Sequence, residues 1–295
     1  MGVDANMTIY PRDPKFNWNQ RYNLLFLDNP CGVGFSWSHQ ECYATDEETV
    51  GSDLADALTQ FYELFPELLE SELFITGESY AGKYVPAFAY TLFTRNKDAS
   101  NQHINLKGIS IGDGAMSPPD QFFGYGDLLF NAAMIDSRER EVFNSYESKM
   151  REALNDGDPV GAFDQFDEML NGDFMEVPTY YKNVTGLDNY FNFMQGDCGS
   201  CVPEYYGDCL GPPGTSNFLD SLEWSGASAY ASAAKEIWSI SSGSPQSLDD
   251  PIAGYRKVVE DYGFTYAVVR GAGHMVPGDQ PERAYDLITS FVDGN

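Results

Sequence analysis

The sequence predicts an α/β domain with a mostly parallel sheet, covered by helices and carrying a helical insertion. Three observations predict it. Short apolar runs bounded by turn residues alternate with stretches of helical periodicity, the pattern of strands and covering helices. From Pro118 to about residue 192 helical periods continue with no buried-strand run. Beyond residue 264 the strand–turn–helix alternation returns.

The elements follow in order. "YNLLFLDNP" (22–30) is an apolar run stopped by Asn-Pro, expected as a strand feeding a turn. Residues 47–66 place Val50, Leu54, Leu58 and Tyr62 at helical spacing. "ELFITG" (72–77) is the next strand and "AGKYVPAFAYTLFTR" the next helix, which must accommodate Pro86. "LKGISIGDG" (106–114) is a further buried strand. "SREREVFNSYESKMREAL" belongs to the helical insertion, and residues 195–216 are loop-like. "FTYAVVRGAGH" is a strand and turn, and "QPERAYDLITSFV" an amphipathic helix. Residues 1–117 and 205–295 are assigned to the α/β core, and 118–204 to a helical cap and loop.

The chain has 295 residues, enough for one large α/β domain or two small ones. Its formal charge of −28 repels phosphate backbones, which argues against nucleic-acid partners and suits a solvated surface in an acidic compartment. No apolar run reaches the length of a membrane span. The first thirteen residues lack the basic and apolar regions of a signal peptide. Cysteines stand at Cys31, Cys42, Cys198, Cys201 and Cys209, and only three histidines occur, none near the last three cysteines. Disulfides are therefore expected rather than a zinc site; the odd count leaves one thiol free or points to missing sequence, and no cofactor is called for. Asn6-Met7-Thr8 and Asn183-Val184-Thr185 are glycosylation sequons.

Ser79 lies in "FITGESYAGKYVP", between a strand and a helix. That is the setting of a nucleophile elbow, where strain lifts Oγ out of the sheet and a helix N-terminus favours developing negative charge. Gly77-Glu78-Ser79-Tyr80-Ala81 departs from G-x-S-x-G because the second glycine has slipped to Gly82. A general base must follow in the chain. His274, in "GAGHMVPGDQP" just after the last strand, has the position expected of a catalytic loop, whereas His103 sits in a polar loop before a strand.

Four blocks, "LLFLDNPCGVGFSWS", "FITGESYAGKYVPAFA", "LKGISIGDGAMSP" and "RGAGHMVPGDQPERAYDLITSFV", together resemble the serine carboxypeptidases. "NMTIYPRDPKFNWNQRYN" and "NYFN" are similar to their vitellogenic carboxypeptidase-like branch. The resemblance covers roughly residues 1–195 and 205–295. It implies an α/β-hydrolase fold with a helical insertion, a lysosomal, vacuolar or secreted location, and removal of single C-terminal residues from peptides or proteins. By matching position it implies Ser79 as nucleophile, His274 as general base and the Tyr80 backbone N–H as one arm of the oxyanion hole. Glu78 resembles the residue that hydrogen-bonds the substrate's terminal carboxylate; two carboxyl groups in contact share a proton and favour acidic pH.

The chain departs from the family pattern in two places. The family's G-G-P-G turn, which supplies the second oxyanion N–H, and its signal peptide would both lie upstream of Met1. Near 195–210 a helix and a strand of the family are missing, so that "CVPEYYGDCLGPPGTSNFLDSLEW" passes straight to the following helix and the sheet is expected to be incomplete. Asp208 is the surviving candidate for the acid that orients His274, although it aligns with the first Asp of the family's turn rather than the second. The expectation is a serine carboxypeptidase read as a fragment. The rival readings are a non-catalytic homologue that binds peptides, and an acyltransferase or esterase using the same elbow.

Overall fold

A computed structural model of the chain describes residues 2–3, 9–10, 14–39, 43–193, 215–240 and 252–294. Strands β1 (Gly2–Val3) and β2 (Ile9–Tyr10) form a short antiparallel ladder. Asp46 opens helix α1 (Glu47–Leu64): its carboxylate accepts the Thr49 N–H at 2.7 Å, and Glu47 and Glu48 complement the dipole of the first turn. The expected stripe of Val50, Leu54, Leu58 and Tyr62 is buried. Strand β3 (Leu73–Glu78) leads into helix α2 (Ala81–Arg95), and strand β4 (Leu106–Gly112) lies parallel to β3 in a register ending Glu78↔Gly112.

One core joins these elements. The α1 stripe packs with Ile75 from β3, Val85, Phe88 and Leu92 from α2, and Ile104. Gly51 permits the close approach of α1 to α2, because a Cβ there would stand 2.7 Å from the Ala87 carbonyl oxygen. Pro86 sits inside α2 as expected; its missing N–H removes the i→i−4 hydrogen bond that would reach the Gly82 carbonyl.

From Pro118 to residue 193 the chain is helical and contains no strand. It runs through α3 (Pro118–Gln121), α4 (Tyr125–Asn131), α5 (Ser137–Asn155) and α6 (Pro159–Phe166), then a π-turn over Asp167–Asn171 and α7 (Tyr180–Thr185). A capping box starts α5: the Asp136 carboxylate accepts the Glu139 N–H while the Glu139 side chain accepts the Asp136 N–H. Tyr125, Leu129, Phe143, Met150, Met169, Leu170 and Tyr181 form its core. Helices α8 (Thr215–Ser221) and α9 (Ala227–Ser232) precede strands β5 (Glu236–Ser239), β6 (Ile252–Val259) and β7 (Phe264–Val269). Helices α10 (Val276–Asp279) and α11 (Pro281–Asp293) follow. The last three strands pair antiparallel in chain order.

Three expectations need correction. The described ladders are not mostly parallel, since β3–β4 is the single parallel pair and the others are antiparallel. Strands β5 and β6 go beyond the elements the sequence pattern announces; Gly254 and the charged Arg256 and Lys257 break the apolar run of β6. Finally, residues 23–29 form no strand. A strand exists only through its ladder, and no described segment pairs with this one. Its Leu24, Leu25, Phe26 and Leu27 are exposed, Phe26 at 85%. The Asn-Pro turn after it does form, with Val33 N–H donating to the Pro30 carbonyl and Gly32 N–H to that of Ser36.

The chain divides into two compact units, one of residues 18–116 with 289–295 and one of residues 1–17 with 117–288. Cys31 is a free thiol. The other four cysteines, Asn6, Asp208 and the missing-strand region around 195–210 lie outside the described residues. Among the described residues no group of His, Cys, Asp and Glu is arranged to hold a metal ion, and no helix is long and apolar enough to cross a membrane.

Candidate active-site residues

Strand β3 delivers Ser79 into a turn that only tight packing sustains. Ser79 has a φ of 64°, the left-handed region that non-glycine residues rarely enter. Its backbone is bonded at both ends. The Ser79 N–H donates to the Gly112 carbonyl at 2.9 Å, and its own carbonyl accepts from Gly82 N–H at 2.9 Å and Ala115 N–H at 3.0 Å. The glycines around it are required by space. A Cβ at Gly77 would stand 2.4 Å from the Ala81 methyl and 2.9 Å from Val85 Cγ2. One at Gly82 would stand 2.7 Å from the Ala115 nitrogen and 2.8 Å from the Gly114 carbonyl carbon. The glycine displaced from the usual fifth position thus serves a close backbone contact with the loop after β4.

Glu78 ends β3 beside Gly112, and its Oε2 lies 3.5 Å from the point a Cβ on Gly112 would occupy. Tyr80 is the N-cap residue of α2, and its backbone N–H has no acceptor among the described residues. Its ring is exposed and lies 5.1 Å from that of Tyr84. Burial, then the charge of Glu47 and a hydrogen bond to it, raise the Tyr80 hydroxyl above the usual tyrosine range. Ser79, Glu78 and Tyr80 therefore stand together at the β3–α2 junction of the first unit.

His274 belongs to the second unit. Gly271, with a φ of 66°, turns the chain after β7, and Gln280 Nε2 donates to its carbonyl at 2.6 Å. The Asp279 carboxylate accepts the Gly273 N–H at 2.6 Å and the Asn192 side-chain amide at 3.1 Å. The His274 N–H donates to the Phe191 carbonyl at 2.9 Å, and the imidazole stacks on the Phe191 ring with centroids 5.0 Å apart. The residue is 7% exposed, and both ring nitrogens are buried without a hydrogen-bond partner among the described residues. Burial holds the imidazole below the usual histidine value, which favours its neutral form. A buried ring with two unsatisfied nitrogens is costly unless a partner or substrate completes it.

Sequence reasoning missed Phe191, Asn192 and Asp279. Asn192 and Phe191 lie in the "NYFN" block and Asp279 in the His274 block, so both stretches stood out in the sequence, but nothing in it brought the two together.

Comparison with known proteins gives a consistent result. The sequence profile of the family described as "Serine carboxypeptidase" matches residues 3–201 and 205–294. A venom serine carboxypeptidase of Apis mellifera is 35% identical over 350 residues, covering 98% of this chain and 72% of that protein. A probable serine carboxypeptidase, CPVL, of Rattus norvegicus is 33% identical, covering 98% and 71%. A vitellogenic carboxypeptidase of Aedes aegypti is 30% identical, covering 99% and 72%. The crystal structure of Kex1, a prohormone-processing carboxypeptidase from Saccharomyces cerevisiae, superposes with a TM-score of 0.70 at 20% identity, covering 99% of this chain and 78% of that one. The fold is therefore that of the α/β-hydrolases, as expected. The honeybee match runs over 350 residues against a chain of 295, so that relative carries internal sequence with no counterpart in this chain.

Proposed function

The chain belongs to the serine carboxypeptidase family, and from that premise we propose that it releases C-terminal residues from peptides through an acyl-enzyme on Ser79. The single observation that carries this reading is the φ of 64° at Ser79, locked by three backbone hydrogen bonds at a strand–helix junction. Strain of this kind is retained where it positions a reacting group.

In this reading Ser79 Oγ attacks the last peptide carbonyl and His274 takes its proton. The oxyanion receives the Tyr80 N–H, whose lack of an acceptor among the described residues supports that role, and the N-terminal end of α2. Collapse breaks the C–N bond, His274 returns the proton to the departing amine, and the acyl group stays on Oγ as an ester. Water then repeats the sequence with His274 again as base. Asp208 holds the tautomer of His274. Glu78, protonated at acidic pH, hydrogen-bonds the substrate's terminal carboxylate; its position beside Gly112 at the end of β3 supports this assignment. We assign residues 1–117 and 205–295 to the hydrolase core and 118–204 to a cap. The compartment is lysosomal, vacuolar or extracellular, which the exposed Asn183 of the second sequon on α7 and the acidic surface support.

The test is covalent labelling with a fluorophosphonate and mapping of the adduct. Label on Ser79, lost in Ser79→Ala, is expected. Label that survives Ser79→Ala removes the nucleophile assignment, and absence of any label from folded protein favours a non-catalytic, peptide-binding homologue.

A further inference from the structure

The mechanism above needs the His274 imidazole in one place, and its ring nitrogens do not supply the hold: neither has a hydrogen-bond partner among the described residues. The ring is fixed through its face and its backbone. The face stacks on Phe191 with centroids 5.0 Å apart, and the His274 N–H donates to the Phe191 carbonyl at 2.9 Å. The next residue, Asn192, is 4% exposed and donates its side-chain amide to Asp279 Oδ2 at 3.1 Å. The same oxygen accepts the Gly273 N–H at 2.6 Å. A closed circuit results, with Gly273 and His274 on one side, Phe191 and Asn192 on the other, and one carboxylate oxygen joining the two ends.

Space as well as bonding is matched around this circuit. A Cβ on Gly273 would stand 2.6 Å from Asn192 Cβ and 2.7 Å from its Nδ2, so the glycine is what admits the asparagine. The Phe191 side is itself pinned within the helical stretch. Asn189 Oδ1 accepts the Phe191 N–H at 3.1 Å and the Asn192 N–H at 3.2 Å. Tyr190 packs on the Phe191 ring at 4.3 Å, and its hydroxyl donates to Asn171 Oδ1 at 2.9 Å. Residues 189–192 are thus a fixed seat, and the His274 loop is tied to it through Asp279. A carboxylate that takes two N–H donors makes charge-assisted bonds, roughly twice as strong as neutral ones.

We propose that Asn192 and Asp279 are positioning residues for the general base: their bond keeps the loop around His274 closed on Phe191, and so holds the imidazole where it takes the Ser79 proton. The proposal rests on His274 serving Ser79, and it assigns the hold on the base to a side-chain pair 87 residues apart in the chain. Breaking the bond opens the circuit and lets the imidazole swing off the Phe191 face. A bond that only added stability would be lost without moving the ring.

Two readouts at neutral pH test it, and one needs no catalytic turnover. Stacking places the His274 ring protons in the ring current of Phe191, a signature read by NMR in a chain of three histidines and assigned with His274→Ala. In Asn192→Ala that ring-current shift is expected to shrink, and Ser79 to label with fluorophosphonate roughly 10- to 100-fold more slowly. Asn192→Asp, which keeps the shape and sets a second carboxylate against Asp279, should do the same. Combining Asn192→Asp with Asp279→Asn restores one amide–carboxylate pair and keeps an oxygen at 279 for the Gly273 N–H, so it should recover much of both signals. Met150→Ala, a core truncation in the same helical stretch, should lose stability in denaturant yet keep the wild-type shift and labelling rate. An unmoved His274 signal in both Asn192 variants, no recovery in the exchanged pair, or the same losses in Met150→Ala would overturn the proposal. A displaced ring with unchanged labelling would overturn it too. A displaced ring in protein that never labels at Ser79, wild type included, supports the hold on His274 and removes the nucleophile.

Discussion

Replacing Gly82 by alanine isolates the contact between α2 and the turn after β4. In an ordinary helix the change would stabilise, by about 1 kcal/mol of propensity. Here the new methyl would stand 2.7 Å from the Ala115 nitrogen, 2.8 Å from the Gly114 carbonyl carbon and 2.9 Å from Gly114 Cα. All three are backbone atoms, so no side-chain rotation relieves the contact, and the turn must retreat by roughly 0.7 Å to reach ordinary van der Waals distance. Overpacking of this kind costs about 1–3 kcal/mol. The same retreat stretches the 3.0 Å bond from Ala115 N–H to the Ser79 carbonyl, worth about 1 kcal/mol net. Set against the helix gain, a net loss of about 1–3 kcal/mol is expected in denaturant unfolding. Displacement of the elbow should also slow fluorophosphonate labelling of Ser79 by about 10- to 100-fold. Gly51→Ala is the matched control. Its methyl meets the Ala87 carbonyl oxygen at the same 2.7 Å, between α1 and α2 and away from the elbow. It should lose stability and keep its labelling rate. Gly82→Ala that labels at the wild-type rate, or that gains stability, refutes the reasoning.

Two further outcomes follow from the site residues. Phe191→Ala strips the stacked ring from His274, so water reaches the imidazole and its pKa should rise toward about 6.5, read by NMR titration of a chain with only three histidines. Because burial lowers the native value, His274 contributes stability above about 6.5 that is lost as pH falls through its native pKa, and the variant should show less of that acid loss. An unmoved titration would show that Phe191 does not shield the ring. For Glu78→Gln, KM for a peptide acid should lose its rise with pH, while KM for the matched peptide amide stays nearly level in both proteins. Parallel curves for acid and amide in the wild type would remove the carboxylate-binding role of Glu78.

What was legible in the sequence was what neighbours along the chain decide. The elbow could be read because β3, Ser79 and α2 are consecutive, and the α1 stripe because four apolar residues at helical spacing define one face. Features decided by distant segments were not legible. Residues 23–29 are as apolar as a strand, yet strand identity depends on a partner ladder that no local pattern announces. Strand β6 hides behind Gly254, which is demanded by the Val268 carbonyl on β7: a Cβ there would lie 2.0 Å from that oxygen. For His274 the loop position was readable, whereas its stacking on Phe191 and the bond from Asn192 to Asp279 join stretches more than eighty residues apart.

The backbone contact between Gly82 and Gly114 changes what counts as this protein's nucleophile signature. A pattern confined to residues 77–82 finds the fifth position occupied by alanine and scores the site as degenerate. The constraint has not weakened; part of it is written in residues 112–115, where small residues must answer the glycine at 82. A search string for such elbows would pair G-x-S-x-A-G with G-x-G-A at the end of the next parallel strand. Chains carrying either half alone would be rejected, and chains like this one, passed over by the five-residue rule, would be retained.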